Sequence, residues 1–186
     1  AVTCYTPGDA VFASTFAADF GGYAEYKCLP EDGIMTLKPA HISYAEAAAV
    51  PVGGMTALRF LRKANLQHGQ NVLIYGASGS VGTYAVQLAK HHFGTVVTGV
   101  CSASNLDLVT TLGADQVIDY TQADFTRRGK TYDLVFDAVG KTSAACVKKV
   151  LAPTGTYLNV NTSSAGGERV EILNVLKELI EAGTIR

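Results

Sequence analysis

The sequence predicts an α/β fold: a doubly wound parallel sheet, preceded by a smaller β-rich segment. Three observations carry that prediction. From residue 70 onward, short apolar strands alternate with helical patterns through short glycine-bearing connections, as in parallel sheets covered by helices on both faces. The first of these strands runs straight into Gly76, Gly79 and Gly82 and then into a helical pattern. The first fifty residues have no strand–helix repeat and carry turn signals instead, at Pro7-Gly8-Asp9 and Pro30-Glu31-Asp32-Gly33.

In chain order, residues 23–29 read as a strand of the β-rich segment. Residues 45–50 and 55–63 read as two helices leading into the sheet, so a boundary falls near residue 45, with 1–44 as one unit and 45–186 as the other. The sheet strands are expected at 71–75, at 95–101 (rich in valine and threonine), at 116–120, at 132–137 and at 156–160. Helices are expected at 81–92, at 106–112 and from Thr142. Residues 168–182 place Val170, Leu173, Leu176, Leu179 and Ile180 at helical spacing.

Composition narrows the class. With 48% hydrophobic and 17% charged residues, the 186-residue chain has an ordinary globular balance and material for a sizeable core. A formal net charge of −1 gives no electrostatic case for nucleic acid or a membrane surface. No stretch approaches the ~18 apolar residues of a membrane-crossing helix. The opening residues do not read as a signal peptide. Cys4, Cys28, Cys101 and Cys146 are widely separated, with no C-x-x-C, so neither a disulfide framework nor a zinc cluster is expected. Cys101 and Cys146 read as small buried residues. A reduced, cytoplasmic setting is the expectation, which makes the sequon Asn161-Thr162-Ser163 accidental.

The glycine loop, IYGASGSVGTYAVQLAK over residues 74–90, is where chemistry enters. It fits the dinucleotide fingerprint with Ala77, Gly79 and Gly82 in the three small-residue places. The first permits a tight turn, the second a close approach of backbone to pyrophosphate, and the third helix–strand packing. The helix N-terminus then directs free N–H groups at phosphate. A ligand-free tight turn would use the same glycines, but strand and helix patterns on both sides favour the dinucleotide. No Gly-Lys-Ser/Thr follows, which excludes a P-loop. An acid at the end of the second strand would select NAD. There is no Asp or Glu between Glu46 and Asp107, and the strand ends in Val100-Cys101-Ser102-Ala103-Ser104-Asn105. Hydroxyl and amide donors there favour NADP(H), the alternative for Ser104 being an ordinary helix N-cap.

With these residues in view, the chain resembles the zinc-free quinone oxidoreductase (zeta-crystallin-like) branch of the medium-chain dehydrogenase/reductase superfamily. The resemblance rests on Pro7-Gly8-Asp9-Ala10-Val11, Gly22-Tyr23-Ala24-Glu25-Tyr26, AAAVPVGGMTAL over 47–58, Leu112-Gly113-Ala114-Asp115, Val117-Ile118-Asp119-Tyr120 and DLVFDAVG over 133–140. It implies a Rossmann domain over 45–186, shortened after about residue 161, preceded by the C-terminal part of a GroES-like catalytic domain over 1–44. It also implies cofactor roles. Thr56 would lie near the nicotinamide, and Ser78, Gly79, Ser80 and Val81 at the pyrophosphate. Ser102 and Tyr120 would line the 2′-phosphate site, with Asp137, Ala138, Val139 and Gly140 at the nicotinamide ribose. Leu106 stands where NADP-using relatives often carry a cation; Arg127, Arg128 and Lys130 are the candidates to replace it, although solvated loop charges are the favoured reading.

The resemblance further implies chemistry without zinc. Only residues 13–21, with no cysteine, lie where zinc-dependent relatives insert a four-cysteine lobe, and Val52 stands at a zinc-ligand position. Adjacent His91 and His92 face different sides of a helix and make a poor ligand pair. The implied activity is hydride transfer from NADPH to a small electrophile, a quinone or an α,β-unsaturated carbonyl, by a homodimer. The alternatives are an NADP-binding module without turnover and a zinc-dependent alcohol dehydrogenase. Tyr23 and Lys27 match a Y-x-x-x-K proton-donor spacing but precede the glycine loop on an expected strand, so sheet packing is the reading. No residue is assigned a catalytic role.

Overall fold

The computed structural model describes residues 2–186. A five-stranded parallel sheet forms its centre, with strands β3 (Asn71–Tyr75), β4 (Val96–Cys101), β5 (Gln116–Asp119), β6 (Tyr132–Asp137) and β7 (Leu151–Asn159) in the spatial order β5-β4-β3-β6-β7. The strands are near-continuous apolar runs because both faces are covered. One face carries α1 (Tyr44–Lys63), α2 (Ser80–Gln87), α3 (Leu106–Thr111) and α5 (Val170–Glu181), and its core includes Leu58, Leu61, Ile74, Leu134, Phe136, Leu173 and Leu176. The other face is thinner: Leu73, Val100, Ile118 and Val135 pack under Phe125, Val147 and Val150, with α4 (Ala144–Val147) as its short helix. The first and fourth sheet strands, β3 and β6, therefore lie side by side, and the chain leaves them in opposite directions.

Residues 2–43 form the smaller unit. β1 (Val11–Ala13) pairs antiparallel with β2 (Met35–Leu37), and Phe12 is buried against α1's side of the core. Both expected turns are present, closed by Asp9 N–H to the Thr6 carbonyl and Gly33 N–H to the Pro30 carbonyl, each 3.0 Å.

Four expectations need correction. Residues 23–29 form no strand, and Tyr23 and Tyr26 are fully exposed. Alternation selects faces, but a strand exists only through a neighbour's hydrogen bonds, and none lies alongside among the described residues. The two helices expected over 45–63 are one, α1, running through Pro51. Ser43 and Glu46 start it with a capping box, and buried Gly53 and Gly54 let it sit tightly on α2 and α5. β7 begins five residues early, because Pro153 and Gly155 form a bulge against Tyr132 and the chain stays in the sheet. Cys146 is exposed, since only Val147 of the four-residue α4 turns inward; Cys101 is buried as expected.

Candidate functional site

The strand order reverses between β3 and β6, and in open parallel sheets the crevice beyond the carboxyl ends of such a pair is where ligands bind. The glycine loop forms one wall. Gly76, at φ +80°, makes the turn, and the N–H groups of Gly76 and Ala77 both donate to the Val100 carbonyl at 2.9 Å. The positive φ falls on Gly76, one residue before the expected position. Ala77 is instead wholly buried and faces Gly99 of β4, where an added Cβ would stand 3.1 Å from its own. Gly82 seats α2 on the turn, with a built Cβ only 2.0 Å from the Gly76 carbonyl oxygen.

Gly79 is different. It is the exposed N-cap of α2, and the nearest atom to a Cβ there is the Gly76 carbonyl oxygen at 3.4 Å. It offers no side chain to accept from the first turn, and that turn carries no acid. The N–H groups of Ser80 and Val81 thus open toward the crevice with the helix dipole behind them, a cradle for an anion. α1 braces this loop: a Cβ on Gly53 would stand 2.5 Å from Ser80 Oγ. Thr56, half-buried, lies one turn farther along α1.

The opposite wall is the turn after β6. Val139 reaches over Gly76, its Cγ2 standing 2.1 Å from where a Gly76 Cβ would be, and Gly140 turns at φ +76°. Asp137 is fully buried and directed into its own turn, accepting from Val139 N–H at 3.1 Å and Gly140 N–H at 2.7 Å. Its carboxylate is therefore occupied within the protein. With the Ala138 N–H donating to the Tyr75 carbonyl at 3.0 Å, all three N–H groups of Ala138, Val139 and Gly140 are engaged, so a backbone contact from this turn to a ligand would fall to its carbonyl oxygens. Thr142, Tyr157, Asn159 and Asn161 join this wall, unnoticed in the sequence. Asn159 and Asn161, two amides flanking Val160 at a strand end, were the available signal.

The third part is the end of β4. Ser102 follows the strand directly; its hydroxyl is 3.1 Å from Ser104 Oγ and accepts from Asn105 Nδ2 at 3.0 Å. Ser104 caps no helix, so the N-cap alternative falls away. Exposed Tyr120 sits beside Ser102, its N–H donating to the Cys101 carbonyl at 3.1 Å. Asp119 stands opposite Cys101, and its carboxylate accepts from the N–H and hydroxyl of Thr121. Burial, with Asp119 adding to it, pushes the Cys101 thiol pKa up, so that sulfur stays protonated. The loop cations lie elsewhere: Lys130 reaches Thr98 Oγ1 at 3.3 Å and the Tyr132 ring, and Arg127 pairs with Asp124 at 3.4 Å.

Val52 is 65% exposed and carries no ligand atom, and no three His, Cys, Asp or Glu side chains converge among the described residues. His91 packs over Gly113, while His92 lies edge-on to Phe93, burial and Arg62 lowering its pKa.

Comparison with known proteins identifies the family. Residues 80–185 match the zinc-binding dehydrogenase family. The chain is 36% identical over 173 residues to the 2-methylene-furan-3-one reductase of Solanum lycopersicum, covering 90% of this chain and 44% of that protein. It is 34% identical over 191 residues to the chloroplastic NADPH-dependent alkenal/one oxidoreductase of Arabidopsis thaliana, covering 96% and 49%. Among solved structures, the quinone oxidoreductase of Coxiella burnetii superposes with a TM-score of 0.81 at 28% identity, covering all of this chain and 64% of that one. The chain thus spans about half the length of the curated relatives it matches. The cytoplasmic expectation is overturned: relatives from Arabidopsis thaliana, Triphysaria versicolor and Spinacia oleracea are named chloroplastic. Free thiols and an ordinary composition report redox poise, and poise does not separate two reducing compartments.

Proposed function

The chain belongs to the zinc-binding dehydrogenase family of the medium-chain dehydrogenase/reductase superfamily, and from that premise we propose that it holds NADP(H) across the β3–β6 crevice for zinc-free reduction of a quinone or an α,β-unsaturated carbonyl. The observation that carries the reading is the uncapped N-terminus of α2 behind Gly79, opening at the point where the strand order reverses. Ser78, Gly79, Ser80 and Val81 would hold the pyrophosphate. The backbone of Ala138, Val139 and Gly140 would hold the nicotinamide ribose, and Thr56 would flank the nicotinamide. Ser102 and Tyr120 would receive the 2′-phosphate, since the end of β4 presents hydroxyls and the Asp119 carboxylate opposite Cys101 is engaged by Thr121.

NADPH would supply hydride, and the protein's task is to orient it and keep water away. The residues of α1 beside the cofactor loop support an apolar acceptor. Tyr44, Ala48 and Val52 follow one another at helical spacing toward Thr56, and with Phe16 and Phe20 they line a groove of about 720 Å³. Such a wall suits a conjugated carbonyl, already electron-poor, better than an alcohol needing a Lewis acid. Residues 1–44 would then contribute the acceptor side of the site and 45–186 the cofactor side.

The deciding experiment titrates NADPH and NADH against the protein and follows NADPH oxidation with a simple quinone and with an enone. Tighter NADPH binding with turnover is expected. Preference for NADH would overturn the cofactor assignment, and binding without turnover would leave a cofactor-holding module.

A further inference from the structure

Beneath the Val139–Gly140 turn lies a closed polar network that the cofactor contacts do not use. The buried Asp137 carboxylate accepts, besides the two turn N–H groups, from Thr142 N at 2.7 Å, Thr142 Oγ1 at 2.9 Å and Asn159 Nδ2 at 3.3 Å. The Tyr157 hydroxyl, on β7, donates to the Thr142 carbonyl at 3.1 Å, lies 3.0 Å from Thr142 Oγ1 and accepts from Asn159 Nδ2 at 3.0 Å. Asn161 N–H donates to Asn159 Oδ1 at 2.8 Å, and its own amide closes over Gly140, where a Cβ would stand 2.0 Å away. The ends of β6 and β7 are thereby joined into one rigid wall.

We infer that Tyr157 and Thr142 are positioning residues for the nicotinamide half of the dinucleotide: without touching it, they hold the 138–140 turn in its binding-competent form. The inference rests on the cofactor reading given above. Its physical basis is that a buried carboxylate stays fixed in place only while its hydrogen bonds are complete. Removing the Tyr157 hydroxyl leaves the Thr142 carbonyl and the Asn159 amide each short of a partner. The turn then samples other arrangements, and apparent affinity falls by the fraction of molecules still competent. The adenosine half, bound at Ser102 and Tyr120 beyond β4, is untouched.

The test measures affinity for NADPH and for adenosine 2′,5′-bisphosphate, which probes only the adenosine half, together with Tm. Tyr157→Phe and Thr142→Val are each expected to weaken NADPH about tenfold while leaving the bisphosphate within about twofold, as if about one molecule in ten remained competent. Thr142→Ser, which keeps the hydroxyl, restores NADPH binding. Unchanged NADPH affinity in both variants overturns the inference, as does parallel weakening of both ligands with a fall in Tm, the mark of a purely structural role. If the unsubstituted protein binds neither ligand, the cofactor reading itself fails and the inference with it.

Discussion

At Gly82 an added Cβ would stand 2.0 Å from the Gly76 carbonyl oxygen, whereas at Gly79 the nearest atom is 3.4 Å away. On the proposed cofactor reading the two glycines of one fingerprint serve different ends, folding and ligand approach, and substitution separates them. Gly82→Ala is expected to destabilise the protein by about 2–3 kcal/mol, because backbone must move to admit the methyl group. Gly79→Ala is expected to leave the denaturation midpoint nearly unchanged yet weaken NADPH binding by about tenfold or more, since its Cβ projects where a phosphate would approach. Denaturant titration beside ligand titration checks both. At the end of β4, Ser102→Asp is expected to lower NADPH affinity by about 1–3 kcal/mol, like charge facing the 2′-phosphate, and to improve NADH relative to NADPH, as read from the two dissociation constants. The glycines and Ser102 were legible as residue types. The engagement of Asp137 was not, because a carboxylate's partners are fixed by the turn it folds into and by Asn159, 22 residues away.

Among the elements, β4 and the continuation of α2 are joined by one acid. Asp115, just before β5, accepts from Val97 N–H at 2.8 Å and pairs with Lys90 at 2.5 Å. Lys90 lies in the π-helical turn Leu88–His92 that extends α2. Burial alone would raise the Asp115 pKa, but the Lys90 bond, the Val97 N–H and the Lys90 charge outweigh it and leave it lowered. A carboxyl whose folded pKa is depressed stabilises the fold above its unfolded value of about 3.9, and that stability is lost as pH falls through the lower folded value. Asp115→Asn is therefore expected to cost about 1 kcal/mol near pH 7, the pair being one-third exposed and screened, and the two stability curves are expected to converge in acid. Denaturation midpoints from pH 7 down to about pH 3 would show it. Long-period signals at this scale were legible: β3 and β6 lie where their apolar runs placed them. Local breaker signals misled. Pro51 does not end α1 and Pro153 does not delay β7, because packing on α2 and pairing with β6 outweigh a single missing N–H.

Across the whole molecule, the β1–β2 unit is tied to the sheet domain at a long sequence distance. Ser14 Oγ donates to Glu168 at 2.5 Å, just before α5, while Phe12 enters the main core. Ser14→Ala is expected to raise amide exchange over residues 11–37 by up to about tenfold, one lost charge-assisted bond, while β3 to β7 keep their protection. Uniform loss of protection would instead make the two units one cooperative body. The sequence by itself determined the class of fold, the sheet strands in order, the glycine loop and the lack of an acid just after β4, because periodicity, glycine spacing and charge are properties of residues near one another in the chain. Only the tertiary structure decided that residues 23–29 join no strand among the described residues, that Gly76 rather than Ala77 takes the turn, and that Thr142, Tyr157 and Asn159 stand behind the crevice wall. Those outcomes depend on neighbours supplied by other strands and helices, and such neighbours leave no local mark in the chain.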